Sequence, residues 1–354
     1  MDNKTQRIDK ISISIYASIL EALKKMDDTY KRLLLVFEDS RFINVLSIGD
    51  IQRAIIKNLP LDTPIKQILR KETRLANEHE SFETIKQRML EYRAECMPVV
   101  NDKKELIEIY FWEDIFPLEE KRIRRNLNIP VIIMAGGKGS RLKPITNVLP
   151  KPLLPIGEKT ILEQIMNSFI KIGCHNFYLS VNYKAEMIRH YFDNLNHSEY
   201  KISYFEEEKP LGTAGSLYLL KGKINQTFFI SNCDIIIEED YGEIYNYHKK
   251  NQNELTIVAA LKHYPIPYGT IETGNNGILK SLNEKPELIF KINSGMYILE
   301  PHLLKEIPEN KFFHITELIE NIKKRGGKVG VFPVSEKAWK DIGTWDEYQH
   351  YING

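Results

Sequence analysis

Residues 131–156 read VIIMAGGKGSRLKPITNVLPKPLLPI. The four apolar residues 131–134, introduced by Pro130, read as a short buried strand. Glycines 136, 137 and 139 follow at once, so the backbone there can bend tightly and approach a ligand closely. Their N–H groups can then line a concave anion site, a common way for a loop to hold phosphate. Arg141 and Lys151 supply fixed positive charge beside the loop, and Pro144, Pro150, Pro152 and Pro155 stiffen the chain between and around them.

Two other glycine-loop chemistries do not fit. A dinucleotide fingerprint needs a third glycine opening a helix, and the position after Gly137-x-Gly139-x-x is Leu142. A phosphate loop closed by Gly-Lys-Ser/Thr is also missing, because Gly157-Glu158-Lys159-Thr160 lacks its upstream glycine at Pro152. A mere surface turn does not require Gly-x-Gly-x-Arg-Leu with Pro-Lys-Pro downstream.

Written as Gly-x-Gly-x-Arg-Leu-x-Pro-x-Thr and then Pro-Lys-Pro, the stretch resembles the signature of the sugar-1-phosphate nucleotidylyltransferases, and the resemblance extends over residues 129–353. It implies a Rossmann-like, GT-A-like α/β domain with a mixed, mostly parallel sheet. It also implies an enzyme that joins a nucleoside triphosphate to a sugar-1-phosphate. Met134, Ala135, Gly136, Gly137, Gly139 and Ser140 would then bind the nucleotide. Arg141 would steady its β- and γ-phosphates, and Lys151 would contact the reacting phosphates. The nucleophile in such a reaction is already an anion at neutral pH, so no general base is needed. The barrier is repulsion between phosphates, which positioning and charge neutralisation lower.

The same resemblance assigns Mg²⁺ to two carboxylates. Asp234, in Asn232-Cys233-Asp234, departs from the commoner Asn-Gly-Asp of the family but keeps the carboxylate; Asp341 precedes Ile-Gly-Thr. Hard oxygen ligands of this kind suit Mg²⁺, with phosphate and water completing its shell. Sugar recognition falls by resemblance on Gly269 after Tyr268, on Glu284-Lys285-Pro286 and on Asn293-x-Gly295, with Glu284 on sugar hydroxyls and Lys285 on the sugar phosphate.

Leu211-Gly212-Thr213 matches the family's nucleotide-contacting segment, which makes Gly212 and Thr213 further nucleotide ligands. Uridylyl- and thymidylyltransferases of this kind usually carry glutamine five residues before that glycine, and here the residue is Glu207. A carboxylate offers only acceptors, which complements the adjacent N1–H and N2–H donors of guanine and suits uracil or thymine poorly. The reading favours GTP.

Residues 1–122 contain a repeat offset by about 63 positions: SILEALKKM from Ser18 and SFETIKQRM from Ser81. Each is followed by an apolar run and then by Asp-Ile, at Asp50 and Asp114. This resembles a tandem pair of CBS repeats, an α+β module that often binds adenosine nucleotides through Ser/Thr-x-x-Asp. The first repeat keeps that motif as Ser47-x-x-Asp50, and the second has Phe111 in place of the hydroxyl. Ser47 fits equally a helix N-cap with Asp50 in the first turn. An adenine nucleotide at this module and self-association into a homo-oligomer are both open. Residues 118–128, rich in Glu, Lys and Arg, read as a linker.

The domains expected are therefore 1–122 and 129–354. Within the second, alternating patterns predict helices at 160–172, 184–194, from near Thr213, at 316–324 and at 345–351. Strands are predicted at 176–181, 201–205, 228–231, 255–261, 269–273, 291–299 and 329–334. A net charge of +1 over 354 residues gives no electrostatic case for nucleic acid or an anionic membrane as partner. Cys96, Cys174 and Cys233 are far apart and set in apolar sequence, as reduced core thiols of a cytoplasmic protein would be, and the polar start MDNKTQRIDK lacks the apolar stretch expected of a signal peptide.

Combining CBS repeats with this transferase signature most resembles the bacterial glucosamine-1-phosphate guanylyltransferases of legionaminic acid synthesis. That implies GTP and glucosamine-1-phosphate as substrates, with mannose-1-phosphate, a heptose-1-phosphate or a UDP- or dTDP-sugar as alternatives. A reading of another class, a nucleotide-sensing scaffold with an inert transferase domain, would be marked by loss of Arg141, Lys151, Asp234 or Asp341. All four are present.

Overall fold

The computed structural model describes residues 3–353 other than 40, 72, 93, 117–125 and 196–198. The chain divides into two compact units, Met1–Ile123 and Arg124–Gly354. Most of the linker expected at 118–128 lies outside the described residues. Among the described residues no helix is long and apolar enough to cross a membrane.

In the N-terminal unit the sequence repeat is a structural repeat. Helix Ile19–Thr29 precedes strands Leu33–Glu38 and Arg41–Ser47, and helix Phe82–Tyr92 precedes strands Cys96–Val100 and Leu106–Phe111. Each strand pair is antiparallel and gains a short parallel strand, giving two three-stranded sheets. Ser18 starts its helix through a capping box with Glu21, satisfying two backbone donors that the first turn leaves orphaned. Ile19, Ala22, Leu23 and Met26 then form the buried stripe. Ser81 accepts in the same way from the Thr84 amide at 3.2 Å.

The larger unit is built on β1 (Val131–Met134), α1 (Ile161–Ile170), β2 (Asn176–Val181), α2 (Ala185–Asp193), β3 (Lys201–Glu206), β4 (Phe228–Asn232), β5 (Ile235–Ile237), α3 (Tyr241–Lys250), β6 (Leu255–Pro265), β7 (Glu287–Leu299), α4 (Ile315–Lys324), β8 (Val329–Val334) and β9 (Trp339–Asp341). Seven of these strands form one sheet in the order β3-β2-β1-β4-β7-β6-β8. All neighbours are parallel except β7, which runs antiparallel to both β4 and β6. This is the mixed, mostly parallel α/β sheet expected. Strand β1 has no polar face because both of its faces are covered. Val131 and Ile133 enter the core that holds Ile161, Ile165 and Phe169 of α1, and Ile132 enters the core that holds Ile315, Leu318 and Ile322 of α4. Each such side chain contributes roughly 1.5–3 kcal/mol by burial.

Register positions the site. Met134 stands opposite both Ser180 of β2 and Asn232 of β4, so three parallel strands end at one level. The chain leaving all three passes over the same carboxyl edge of the sheet, where ligands of open α/β sheets bind.

Some expectations need correction. The helix expected from near Thr213 is a 3-10 segment, Gly215–Leu220. Its approach is held instead by another strand of chain: Phe313 donates to Leu211 O, and Ala214 and Gly215 donate to Phe313 O, at 2.9–3.1 Å. Strands β6 and β7 outrun their expected lengths, pairing with each other as far as Pro265↔Glu287, beyond the part of β6 that pairs with β8. Strand β5, helix α3 and strand β9 went unanticipated; β5 and β9 form a separate two-stranded ladder.

Candidate functional site

Beyond Met134 the Ala135 amide still donates to Ser180 O at 2.9 Å, so Ala135 is fixed and buried under the loop it begins. Gly136 passes where a Cβ would stand 3.1 Å from Glu207 Oε1 and 3.3 Å from Asn182 Cβ. Gly139 has φ +61°, and a Cβ there would meet Thr146 Cγ2 at 2.9 Å, so both conformation and space demand glycine. The Thr146 hydroxyl donates to Gly139 O at 3.0 Å, and buried Leu142 pins the far side of the loop. Met134, Gly136, Gly137, Gly139, Ser140 and Arg141 line one cavity of about 440 Å³ with Lys151, Glu207, Gly212, Thr213 and Asp234.

Lys151 is only 6% exposed, and its Nζ lies 2.6 Å from Asp234 Oδ2. A buried ammonium needs such a partner, and each group holds the other in position. Asp234 leads into β5 and Asp341 ends β9. The two are tied by the Ile235↔Asp341 register and by the Ile342 amide donating to Asp234 O at 2.7 Å. Asp341 Oδ1 is buried with no hydrogen-bond partner among the described residues. Burial, and then the charge of Asp234 and Glu347, pushes the Asp341 carboxyl above the usual range against the pull of Lys151 and Arg141. A buried, unpartnered carboxylate oxygen brought near a second carboxylate fits a divalent cation with hard-ligand preference. Gly343 lets this happen: a Cβ would stand 2.5 Å from Asp341 Oδ1 and 3.0 Å from Arg141 Nη2.

Cys233, between these elements, is buried, and desolvation pushes its thiol up to about 12; Cys96 and Cys174 are raised to about 12 in the same way. Thiols this far above neutrality are not nucleophiles.

On the opposite wall, Glu207 is 9% exposed and accepts from the Leu211 amide through Oε2 at 3.1 Å. Burial raises its carboxyl above the ordinary value. The Thr213 hydroxyl is committed elsewhere, accepting from the Ile315 amide at 3.0 Å and meeting His314 Nδ1 at 3.3 Å, so it helps to start α4. Gly212, at φ +82°, allows this, since a Cβ would stand 2.8 Å from Phe313 O. Asn182 and Gly343 line the same cavity. Sequence reasoning missed both, although Asn182 is the polar residue directly after an apolar strand, a position that the strand-end rule marks.

The sugar-side residues form a second group. A Cβ on Gly269 would stand 2.9 Å from Glu284 Oε2, so these two segments meet as their motifs imply. Lys285 follows with φ +45°, and Gly269, Glu284 and Lys285 are exposed and do not line the cavity of the glycine loop. Asn293 lies on the cavity side. It accepts from the Gly295 amide at 3.2 Å, and Gly295 abuts Asn232, which does line the cavity.

In the N-terminal unit, Ser47 and Asp50 bond to each other. Asp50 is 3% exposed and accepts from the Ser47 amide at 2.9 Å and hydroxyl at 2.6 Å, from Arg53, and from Arg70 Nε at 2.6 Å. Arg70 also donates to the Ser47 hydroxyl at 2.6 Å. This is the capping geometry of the first helical turn, with a guanidinium laid across it.

Comparison with known proteins gives two family matches: nucleotidyl transferase over residues 130–353 and CBS domain over residues 7–57. The chain is similar to the mannose-1-phosphate guanylyltransferase catalytic subunit beta of Dictyostelium discoideum, at 35% identity over 183 residues, covering 50% of this chain and 51% of that protein. Similarity to the mannose-1-phosphate guanyltransferase of Yarrowia lipolytica is 36% over 183 residues, covering 49% and 50%. For mannose-1-phosphate guanylyltransferase 1 of Arabidopsis thaliana it is 30% over 225 residues, covering 61% and 62%. The chain thus spans about half the length of the first of these relatives. Among solved structures, HddC of Yersinia pseudotuberculosis aligns with TM-score 0.50 at 27% identity, covering 64% of this chain and 98% of that one.

Proposed function

We propose that this chain, which belongs to the nucleotidyl transferase family, moves a guanylyl group from GTP to a sugar-1-phosphate and releases pyrophosphate. The observation that carries the base is Glu207, a buried carboxylate that lines the cavity with its Oε1 beside Gly136 of the glycine loop, in the segment that by resemblance reads the base. Its acceptors complement the N1–H and N2–H edge of guanine. Mannose-1-phosphate as acceptor is supported by the names of the relatives; glucosamine-1-phosphate is supported by the coupling to a CBS module.

In this reading the glycine-loop amides and Arg141 hold the triphosphate, and Lys151 neutralises charge at the α-phosphate. The sugar phosphate oxygen then attacks without a general base. Glu284, Lys285 and Asn293 bind the sugar phosphate. Asp234 and Asp341 would hold Mg²⁺, which when bound supplies charge neutralisation between the phosphates. We assign the reaction to the cytoplasm and to a homo-oligomer. An adenine nucleotide at Ser47 and Asp50 would have to displace Arg70.

Pyrophosphate release with Mg²⁺ tests this across GTP, UTP, dTTP, CTP and ATP, each with mannose-1-, glucosamine-1- and glucose-1-phosphate. GTP with mannose- or glucosamine-1-phosphate standing out supports the proposal. Preference for UTP or dTTP overturns the base reading alone. Silence throughout overturns the enzyme in favour of a nucleotide-sensing role.

A further inference from the structure

Asn182 takes no part in the family signature, yet it stands where three pieces of the cavity converge. It follows directly on β2, and beside it the Tyr183 amide donates to Gly136 O at 3.4 Å. Its Nδ2 donates to the Glu207 main-chain carbonyl at 2.6 Å. Its Cβ and Glu207 Oε1 are two of the three atoms nearest to the missing side chain of Gly136. The glycine loop, the end of β2 and the Glu207 loop thus meet around Asn182, the last of them held by its side chain.

That hydrogen bond has a chemical consequence. An amide has two ends of opposite character, and turning it over would set Oδ1 against the Glu207 carbonyl oxygen, two acceptors with no proton between them. The bond therefore locks the amide. Nδ2 is spent on the loop, and Oδ1 has no partner among the described residues, in a side chain that lines the cavity. Beside it, Glu207 Oε2 is engaged by the Leu211 amide while Oε1 faces Gly136. This wall of the cavity accordingly presents acceptors. Guanine is the base whose recognition edge offers adjacent donors, N1–H and the two hydrogens on N2. Uracil and thymine break such a row with the carbonyl acceptors on either side of N3–H, and cytosine breaks it with its N3 and O2 acceptors.

We infer that Asn182 is a specificity-determining residue. Its locked amide holds the Glu207 loop against the glycine loop and adds a second acceptor beside the Glu207 carboxylate, so that the two together select guanine. The inference rests on the proposed guanylyl transfer and names the group that makes the base choice narrow. A hydrogen-bonded edge of this kind rejects a ligand lacking the matching donors far more strongly than an apolar pocket could, because its acceptors are then left buried and unpaired.

The test uses the full chain with Mg²⁺ and mannose-1-phosphate, or whichever sugar phosphate proves active. It compares kcat/KM for GTP and UTP in the wild type, Asn182→Ala and Glu207→Gln, with direct binding of GTP and UTP by calorimetry as the second measurement. Asn182→Ala should lower the GTP-to-UTP ratio about tenfold or more, the scale of one directed hydrogen bond, in turnover and in binding alike. A role confined to folding would lower both nucleotides together and leave the ratio unmoved. If Glu207→Gln collapses the ratio and Asn182→Ala does not, the inference about Asn182 is overturned and the base reading stands. If neither variant changes the ratio, or the wild type prefers UTP, the base reading itself fails and takes this inference with it.

Discussion

Lys151 Nζ lies 2.6 Å from Asp234 Oδ2, joining residues 83 positions apart at the carboxyl edge of the sheet. The side chains are 8% and 19% exposed, so the pair is held away from most of the solvent that would screen it. The same ammonium that would neutralise a phosphate is thus kept in place by a carboxylate assigned to the cation. Lys151→Met should abolish measurable turnover, by at least 10²-fold, as loss of a preorganised charge donor does elsewhere. It should also destabilise the fold, because Asp234 loses its partner. Single-turnover kinetics and thermal melting check both; a fully active variant would remove Lys151 from the reaction.

Asp341 separates function from stability. Its buried Oδ1 has no partner among the described residues, and its carboxyl is pushed up by burial and by Asp234. Asp341→Asn removes a charge that the fold holds at a cost, so its melting temperature in EDTA should equal or exceed that of the wild type. Mg²⁺-dependent pyrophosphate release should be lost in the same variant. A clear drop in stability would show that the carboxylate is structural.

Glu207 gives a pH dependence of definite sign. Burial raises its carboxyl above the ordinary value, so ionisation is harder in the folded chain. For a group raised in this way the stabilising contribution is present at low pH and fades as pH climbs from the unfolded value through the folded one. Glu207→Gln should therefore be more stable than the wild type near pH 7, with the gap closing toward pH 4. Denaturant melts across that range measure it; a gap widening toward acid would contradict the burial argument. The preference for GTP should weaken as pH falls, because the protonated carboxyl loses an acceptor.

Gly139 is the point at which the loop admits no side chain. With φ +61° and Thr146 Cγ2 in the way at 2.9 Å, Gly139→Ala should cost roughly 1–3 kcal/mol and displace the loop. Gly137, which has open space around it, should accept alanine with far less effect on stability. Equal melting temperatures for the two variants would refute the distinction.

Asp50 tests whether the N-terminal unit holds a ligand or only itself. Burial opposes its ionisation, but the hydrogen bonds from Arg70 and Ser47 win and hold its carboxyl below the ordinary value. Its stabilising contribution is thus present at neutral pH and is lost as pH falls through the lowered value. Asp50→Ala should destabilise this unit by about 2–4 kcal/mol, leaving the Ser47 amide and Arg70 Nε without their acceptor. A thermal shift with AMP or ATP that is larger in Arg70→Ala than in the wild type would show a ligand taking the place of that guanidinium on Ser47 and Asp50. No shift in either chain would leave the cluster a helix cap.

The sequence by itself determined the elements whose causes are local. The glycine run after an apolar strand, the Thr160-x-x-Glu163 cap of α1 and the repeated Ser18 and Ser81 helix starts are written in neighbouring residues, so a reader of the chain can place them. The motifs likewise marked Arg141, Lys151, Glu207 and Asp234, which meet in one cavity. What only the tertiary structure decided depends on chain arriving from far away. The Phe313 carbonyl turns the segment after Thr213 from the expected helix into a strapped 3-10 turn and diverts the Thr213 hydroxyl to α4. The β5–β9 ladder, too short and too distant in sequence to be seen, sets Asp341 beside Asp234. Asn182 carries no motif and acquires its place only because β1, β2 and β4 end at the same level. Local sequence fixes backbone preferences over a few residues; the meeting of side chains a hundred residues apart is fixed by sheet order and register, which no short pattern encodes.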